Sequence, residues 1–181
     1  MSESDEKLLA RMLEGDGEAF TTLYRRRQGP VYRFALHMTG SVAMAEDVTQ
    51  EVFLALIEKG RRFEGSRGPL LSFLYGIARN RVLRRIERDP PAEPASEEYA
   101  GNEDLLDDLT RRETVEQVRR AVLSLPAAYR EAVALCDLEN ASYEDAAAAL
   151  ECPVGTVRSR LSRGRALLAQ KLATHMVRSV L

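Results

Sequence analysis

Apolar residues recur along this chain at steps of three and four, the period of a helix with one buried face, and no segment alternates convincingly as a strand does. DEKLLARMLEG and DGEAFTTLYRRRQG each open on an acidic residue and close on glycine, the polarity expected of a capped helix. A third helix is predicted from Pro30 to Gly40, because proline suits a first helical turn and glycine a helix end. Ser41 can cap a longer one, SVAMAEDVTQEVFLALIEKG, whose apolar stripe is Val48, Val52, Phe53 and Leu56. RRFEGSRGP reads as a loop. Pro69 then opens LLSFLYGIARNRVLRRIER, with Leu70, Leu74, Ile77 and Ala78 sharing one face.

The pattern lapses in DPPAEPASEEYAGNEDLLDDLT, which is rich in proline, small polar residues and acids. Such a stretch buries too little to order itself, so residues 89–110 are expected to be a flexible linker. Helical periodicity resumes in TVEQVRRAVLSL, breaks at Pro126 and continues in AAYREAVALCDLE. The expected architecture is all-α: a helical domain over 1–88, an acidic linker over 89–110 and a second helical domain over 111–181.

Composition narrows the function classes. The chain has 181 residues, 45% of them hydrophobic and 30% charged, as a folded protein does. No apolar run approaches the ~20 residues that cross a bilayer. The acidic start MSESDEKLLARMLEGD is unlike a secretory signal, so no membrane insertion and a cytoplasmic location are expected. Cys136 and Cys152 are the only cysteines, and His37 and His175 stand apart, which argues against a disulfide scaffold or a metal site. No nucleophile with a base and no phosphate loop is visible, so neither catalysis nor a cofactor is expected.

The formal charge of −2 hides a segregation. Residues 61–88 hold eight arginines against Glu64 and Glu87, and residues 152–181 hold six bases and no carboxylate. Between them, residues 89–110 hold eight acids and no base. Two basic blocks around an acidic one are the footprint of contact with a polyanion at two places.

The second basic block has a particular form. In SYEDAAAALECPVGTVRSRLSRGRALL, Ser142 and Asp145 make a capping-box pattern, a short alanine-rich helix follows, and ECPVG supplies a turn. In the next helix Val157, Leu161, Gly164, Leu168 and Leu172 share one face, with Gly164 expected at a point of close packing. Ser159, Ser162 and Arg163 point away from that face, flanked by Arg158 and Arg165 on one side and Thr156 and Arg160 on the other. A short helix, a tight turn and a basic helix form a helix-turn-helix, and such a helix can read base edges in a major groove.

With that element in place, AYREAVALCDLENASYEDAAAALECPVGTVRSRLSRGRALL resembles the C-terminal domain of sigma-70-family factors, specifically the extracytoplasmic-function (ECF) group. EAFTTLY, AEDVTQEVFLAL and FLYGIARNRVLRRIER resemble the N-terminal domain of the same group. The resemblance covers roughly residues 5–88 and 111–173, in the family's order. It implies a promoter-specificity subunit that binds core RNA polymerase, reads −10 and −35 elements and helps melt the −10 region. It also implies control by an anti-sigma factor.

Residue by residue, the resemblance implies that Asp47, Gln50, Glu51 and Phe53 dock on the coiled coil of the polymerase largest subunit, with the flap as a further contact of the factor. Arg61, Arg62, Phe63, Ser66, Arg67, Asn80, Arg81, Arg84 and Arg85 match the −10 recognition and melting region. Holding one strand open needs cations along phosphate, a loop for an unstacked base and aromatics nearby, which these residue types supply. Thr156, Arg158, Ser159, Ser162 and Arg163 match the −35 reader. Tryptophan is usual in the family near Phe73, and alanine at Gly164. The acidic linker can mimic nucleic acid in the polymerase channels or serve only as a tether. A stand-alone helix-turn-helix regulator would not need the first basic helix or the AEDVTQEVF face, and a decoy for an anti-sigma factor could dispense with the arginines.

Overall fold

The computed structural model of the protein describes residues 3–90 and 105–178. The fold is all-α, with no strand among the described residues. Four helices form the N-terminal part: α1 (Asp5–Leu13), α2 (Gly17–Thr39), α3 (Val42–Lys59) and α4 (Leu70–Arg88). Four more follow: α5 (Leu105–Leu123), α6 (Ala127–Val133), α7 (Tyr143–Leu150) and α8 (Val154–Arg178).

The starts of the helices obey local chemistry. Asp16 accepts from the backbone N–H groups of Glu18 (2.9 Å) and Ala19 (3.1 Å) to open α2. Ser41 accepts from Met44 N–H at 3.3 Å to open α3, and Ser142 accepts from Asp145 N–H at 3.0 Å to open α7. Pro69 and Pro126 stand immediately before α4 and α6.

Two expectations differ from what is found. The break at Gly29–Pro30 is absent, and α2 runs through Pro30. An interior proline costs about 3 kcal/mol. Leu23, Val31, Phe34 and Met38, all fully buried, continue one stripe across it. Each such side chain contributes about 1.5–3 kcal/mol, so burial outweighs the break. Secondly, α5 begins at Leu105, inside the stretch expected as linker. Acidic residues are favoured in a first helical turn, so acidity alone did not distinguish linker from helix. The flexible part of that expectation, residues 91–104, lies outside the described residues.

How the two helical units sit together is a matter on which the sequence carried no expectation. The buried cluster of α1–α4 continues without interruption into Ala134, Leu135, Ala146, Ala149, Leu150 and Val157 of the C-terminal half. A smaller cluster, Leu125, Ala132, Val133 and Leu161, lies within that half. The two helical units are therefore packed on one another rather than held apart, with α5 and α6 on α2 and α7 on α4.

Candidate polymerase-docking and nucleic-acid surfaces

The face of α3 opposite its buried stripe carries Asp47 and Gln50, both exposed, with Glu51 partly exposed beside them. Leu54 (59% exposed) and Ile57 (51%) extend the same face by steps of three and four. An apolar pair flanked by carboxylates and an amide is suited to a partner that is basic at its rim and apolar at its centre. Phe53 is not on this face. Only 2% exposed, it packs edge-on against Tyr24, with ring centroids 4.8 Å apart, so it supports the helix from within.

The sequence-predicted −10 residues divide into two groups. Arg62, Phe63, Arg67 and Asn80 line a cleft of about 840 Å³. Phe63 meets Phe73 edge-on at 5.7 Å on its wall, and Arg67 Nε is held 2.8 Å from Glu64. Arg84 is exposed one turn beyond Asn80 on α4. Arg61 and Ser66 are exposed at the loop, and Arg61 donates to Leu13 O at 3.3 Å. The far wall of the cleft belongs to the helix-turn-helix, through Glu144, Ala148, Cys152 and Pro153.

Arg81 and Arg85 turn instead towards α3. Arg85 donates to Glu51 and lies 3.5 Å from Asp47, while Arg81 lies 3.6 Å from Glu51. Residues expected in two separate interfaces thus form one ion-pair network. Sequence spacing could not show it, because the partners are 34 and 38 positions apart.

The helix-turn-helix is built as its pattern suggested. Glu151 ends α7 in the left-handed region at φ 50°, and Cys152 N–H bonds back to Ala147 O at 3.1 Å. Val157 and Leu161 of α8 are buried. Gly164 sits where a Cβ would come 2.9 Å from Val133 Cγ2 and 3.3 Å from Tyr129 O, so the expected close packing is present. Opposite, Arg158, Ser159, Ser162 and Arg163 are exposed and Thr156 is partly so.

These groups differ in freedom. The Arg158 guanidinium lies over the Tyr143 ring, 5.7 Å from its centroid. Ser159 Oγ donates to Thr156 O at 3.0 Å. Arg165 grips Asp137 through two bonds of 3.0 and 2.6 Å, and that hydrogen bonding raises its pKa above the ordinary arginine value. Arg160 is 3.9 Å from buried Glu131. Of the four arginines between positions 158 and 165, Arg158 and Arg163 are thus the two without a carboxylate partner among the described residues.

A family model described as Sigma-70 region 2 matches residues 23–89, and one described as Sigma-70, region 4 matches residues 115–168. The chain belongs to the sigma-70 family. Within it, the ECF RNA polymerase sigma factor SigC of Mycobacterium tuberculosis is 38% identical over 172 residues, 91% of each chain. RNA polymerase sigma-H factor of Pseudomonas aeruginosa is 31% identical over 183 residues, 94% of each chain. A solved structure of the sigma factor RpoE of Bartonella quintana, in complex with the anti-sigma factor NepR, has a TM-score of 0.69 and 26% identity. It covers 85% of this chain and 96% of that one.

This ECF sigma factor is a non-enzymatic subunit that binds core RNA polymerase and promoter DNA to initiate transcription. No helix among its described residues is long and apolar enough to cross a membrane. Two features of the factor went unread in the sequence. Leu54 and Ile57 fall outside the apolar stripe of α3, a signal that was available. The second is the role of Glu131, a carboxylate only 1% exposed between Arg79 and Arg160. Burial raises its pKa, opposed by those guanidinium groups.

Proposed function

We propose that the factor docks on the coiled coil of the polymerase largest subunit through Asp47, Gln50, Glu51, Leu54 and Ile57 of α3. It captures the −10 strand in the cleft of Arg62, Phe63, Arg67 and Asn80, with Arg61, Ser66 and Arg84 along the phosphates. It reads the −35 element with Thr156, Arg158, Ser159, Ser162 and Arg163. The domain roles follow: residues 1–88 dock, recognise and melt, residues 89–110 connect, and residues 111–181 read the −35 element. The convergence of cations, an aromatic wall and an amide on one cleft is the observation that carries this reading.

The factor works in the cytoplasm, where core polymerase and promoter DNA are found, and an anti-sigma factor holds it inactive. Support for the second point comes from the Bartonella quintana RpoE, which was solved with such a partner.

The test is transcription from a randomised promoter library with added core enzyme. Transcripts are expected only with both factor and core, from templates sharing a −10 and a −35 motif. Initiation without core, or from templates with no shared motif, would reject the assignment.

A further inference from the structure

Tyr143 lies outside the set assigned to the −35 element, yet it stands between the reading helix and the body that carries it. It is the first residue of α7, set in place by the Ser142 cap. Partly buried, it packs against the cluster of Leu125, Ala132, Val133 and Leu161, the small core of the C-terminal half. Over its ring lies the Arg158 guanidinium, 5.7 Å from the centroid.

The same tyrosine is tied to a second arginine of α8. Arg165, about two turns beyond Arg158, is gripped by Asp137 through bonds of 3.0 and 2.6 Å. That hydrogen bonding is the first cause of the raised Arg165 pKa, and Tyr143 adds to the rise by charge and by side-chain hydrogen bonding. A continuous set of contacts therefore runs from Asp137, between α6 and α7, through Arg165 and Tyr143 to Arg158 on the outer face of α8.

What this does follows from the cost of placing an arginine. An exposed arginine samples many rotamers, and fixing them on DNA offsets part of the affinity that its bonds supply. A guanidinium resting on an aromatic face has lost some of that freedom before DNA arrives. A carboxylate would also hold it, but by occupying the N–H groups that a base edge needs, as Asp137 does with Arg165. The ring leaves those groups available. Arg163 has neither a carboxylate nor a ring beside it among the described residues.

We infer that Tyr143 is a positioning residue for −35 recognition, its ring holding the Arg158 guanidinium in reading orientation with its N–H groups free. The inference rests on the proposed assignment of α8 to the −35 element. It makes the two outward arginines unequal: base steps read by Arg158 depend on Tyr143, and those read by Arg163 do not.

The test uses the full chain with core enzyme, in competition among templates randomised across the −35 element. Arg158→Ala and Arg163→Ala first define the positions that each arginine reads. Tyr143→Met removes the ring but keeps an apolar side chain. It should lower preference about two- to fivefold, the worth of an exposed cation–π contact, at the Arg158 positions alone. Tyr143→Phe keeps the ring and should retain the wild-type preference. In an Arg158→Ala background, Tyr143→Met should have no further effect. Unchanged preference in folded Tyr143→Met, an equal loss in Tyr143→Phe, or a loss spread over the Arg158 and Arg163 positions alike overturns the positioning role. The chain has no tryptophan, so Tyr143→Trp supplies a single fluorescent ring at this place. Its emission should change when Arg158 is replaced by alanine, and identical spectra with and without Arg158 overturn the contact. This measurement needs no DNA and carries the test if circular dichroism shows Tyr143→Met to be unfolded. If neither arginine variant alters any −35 preference, α8 is not the reader and the inference falls with that assignment, whereas failure of the Tyr143 variants alone leaves the assignment standing.

Discussion

Arg158 and Arg163 both leave α8 on the side away from its buried face, but they are not equivalent. Arg158 is partly oriented by the Tyr143 ring, whereas Arg163 makes no ion pair among the described residues. A bidentate base contact is worth about 1–3 kcal/mol of discrimination. Replacing either with alanine should therefore lower preference for the −35 element by about 5- to 150-fold in a competition assay with holoenzyme, while core affinity stays unchanged. An equal fall in core affinity would place these arginines in a different surface. Gly164 allows a second prediction. Alanine gains about 1 kcal/mol of helix propensity there, but overpacking against Val133 and the Tyr129 carbonyl costs about 1–3 kcal/mol. Gly164→Ala should lower the urea midpoint without changing the slope, and its cost should shrink in a Val133→Ala background. The outward set on α8 and the tight glycine were both legible, because helical phase alone separates them. Phe53 was not, since its phase borders both the core stripe and the docking face, and only the aromatic neighbours Phe20 and Tyr24 decide that it is buried.

At the level of elements, α3 presents opposite halves with opposite consequences. Phe53→Ala should cost about 3–5 kcal/mol of stability, as loss of a core aromatic does. Leu54 and Ile57 are more than half exposed, so Leu54→Ala with Ile57→Ala should leave the melting temperature nearly unchanged. If they dock on polymerase, the pair should weaken core binding about fivefold or more, equivalent to about 1 kcal/mol, read by titration against labelled core. Unchanged core affinity would remove them from the docking face. Caps and turns told where most helices begin, because Ser41, Ser142 and the prolines act on their immediate neighbours. Two elements escaped that logic. Helix α2 crosses Pro30 because tertiary burial outweighs a local break. The end of α6 widens into an i→i+5 turn over Ala134–Leu138, where Glu139 N–H bonds Ala134 O at 2.9 Å. Wide turns of this kind often sit at functional positions. This one sends Leu135 towards the N-terminal half, Asp137 to Arg165 and Glu139 to Arg33, a three-way split that no fixed helical period predicts.

For the molecule as a whole, the order of domains and their charge segregation could be read from the chain, but their union could not. The Arg33–Glu139 pair joins residues 106 positions apart, and nothing local marks either as a partner of the other. Small residues at the contact, such as Gly76, Ala146 and Ala149, read equally well as ordinary helix packing within each half. Their consequence is thermodynamic. Because one buried cluster runs from α1 to α8, the two halves should unfold together in a single transition rather than in succession. Leu135 is the residue with which to separate them, being fully buried and drawn from the C-terminal half into that shared cluster. Leu135→Ala should cost about 2–5 kcal/mol, as deletion of a core leucine does. That loss should fall unequally. Amides of α7 should lose hydrogen-exchange protection, because α7 relies on the shared cluster, while α2 keeps most of its own, since Leu23, Phe34 and Met38 are buried chiefly among α1–α4. Equal loss in α2 and α7 would mean that the chain is one indivisible domain.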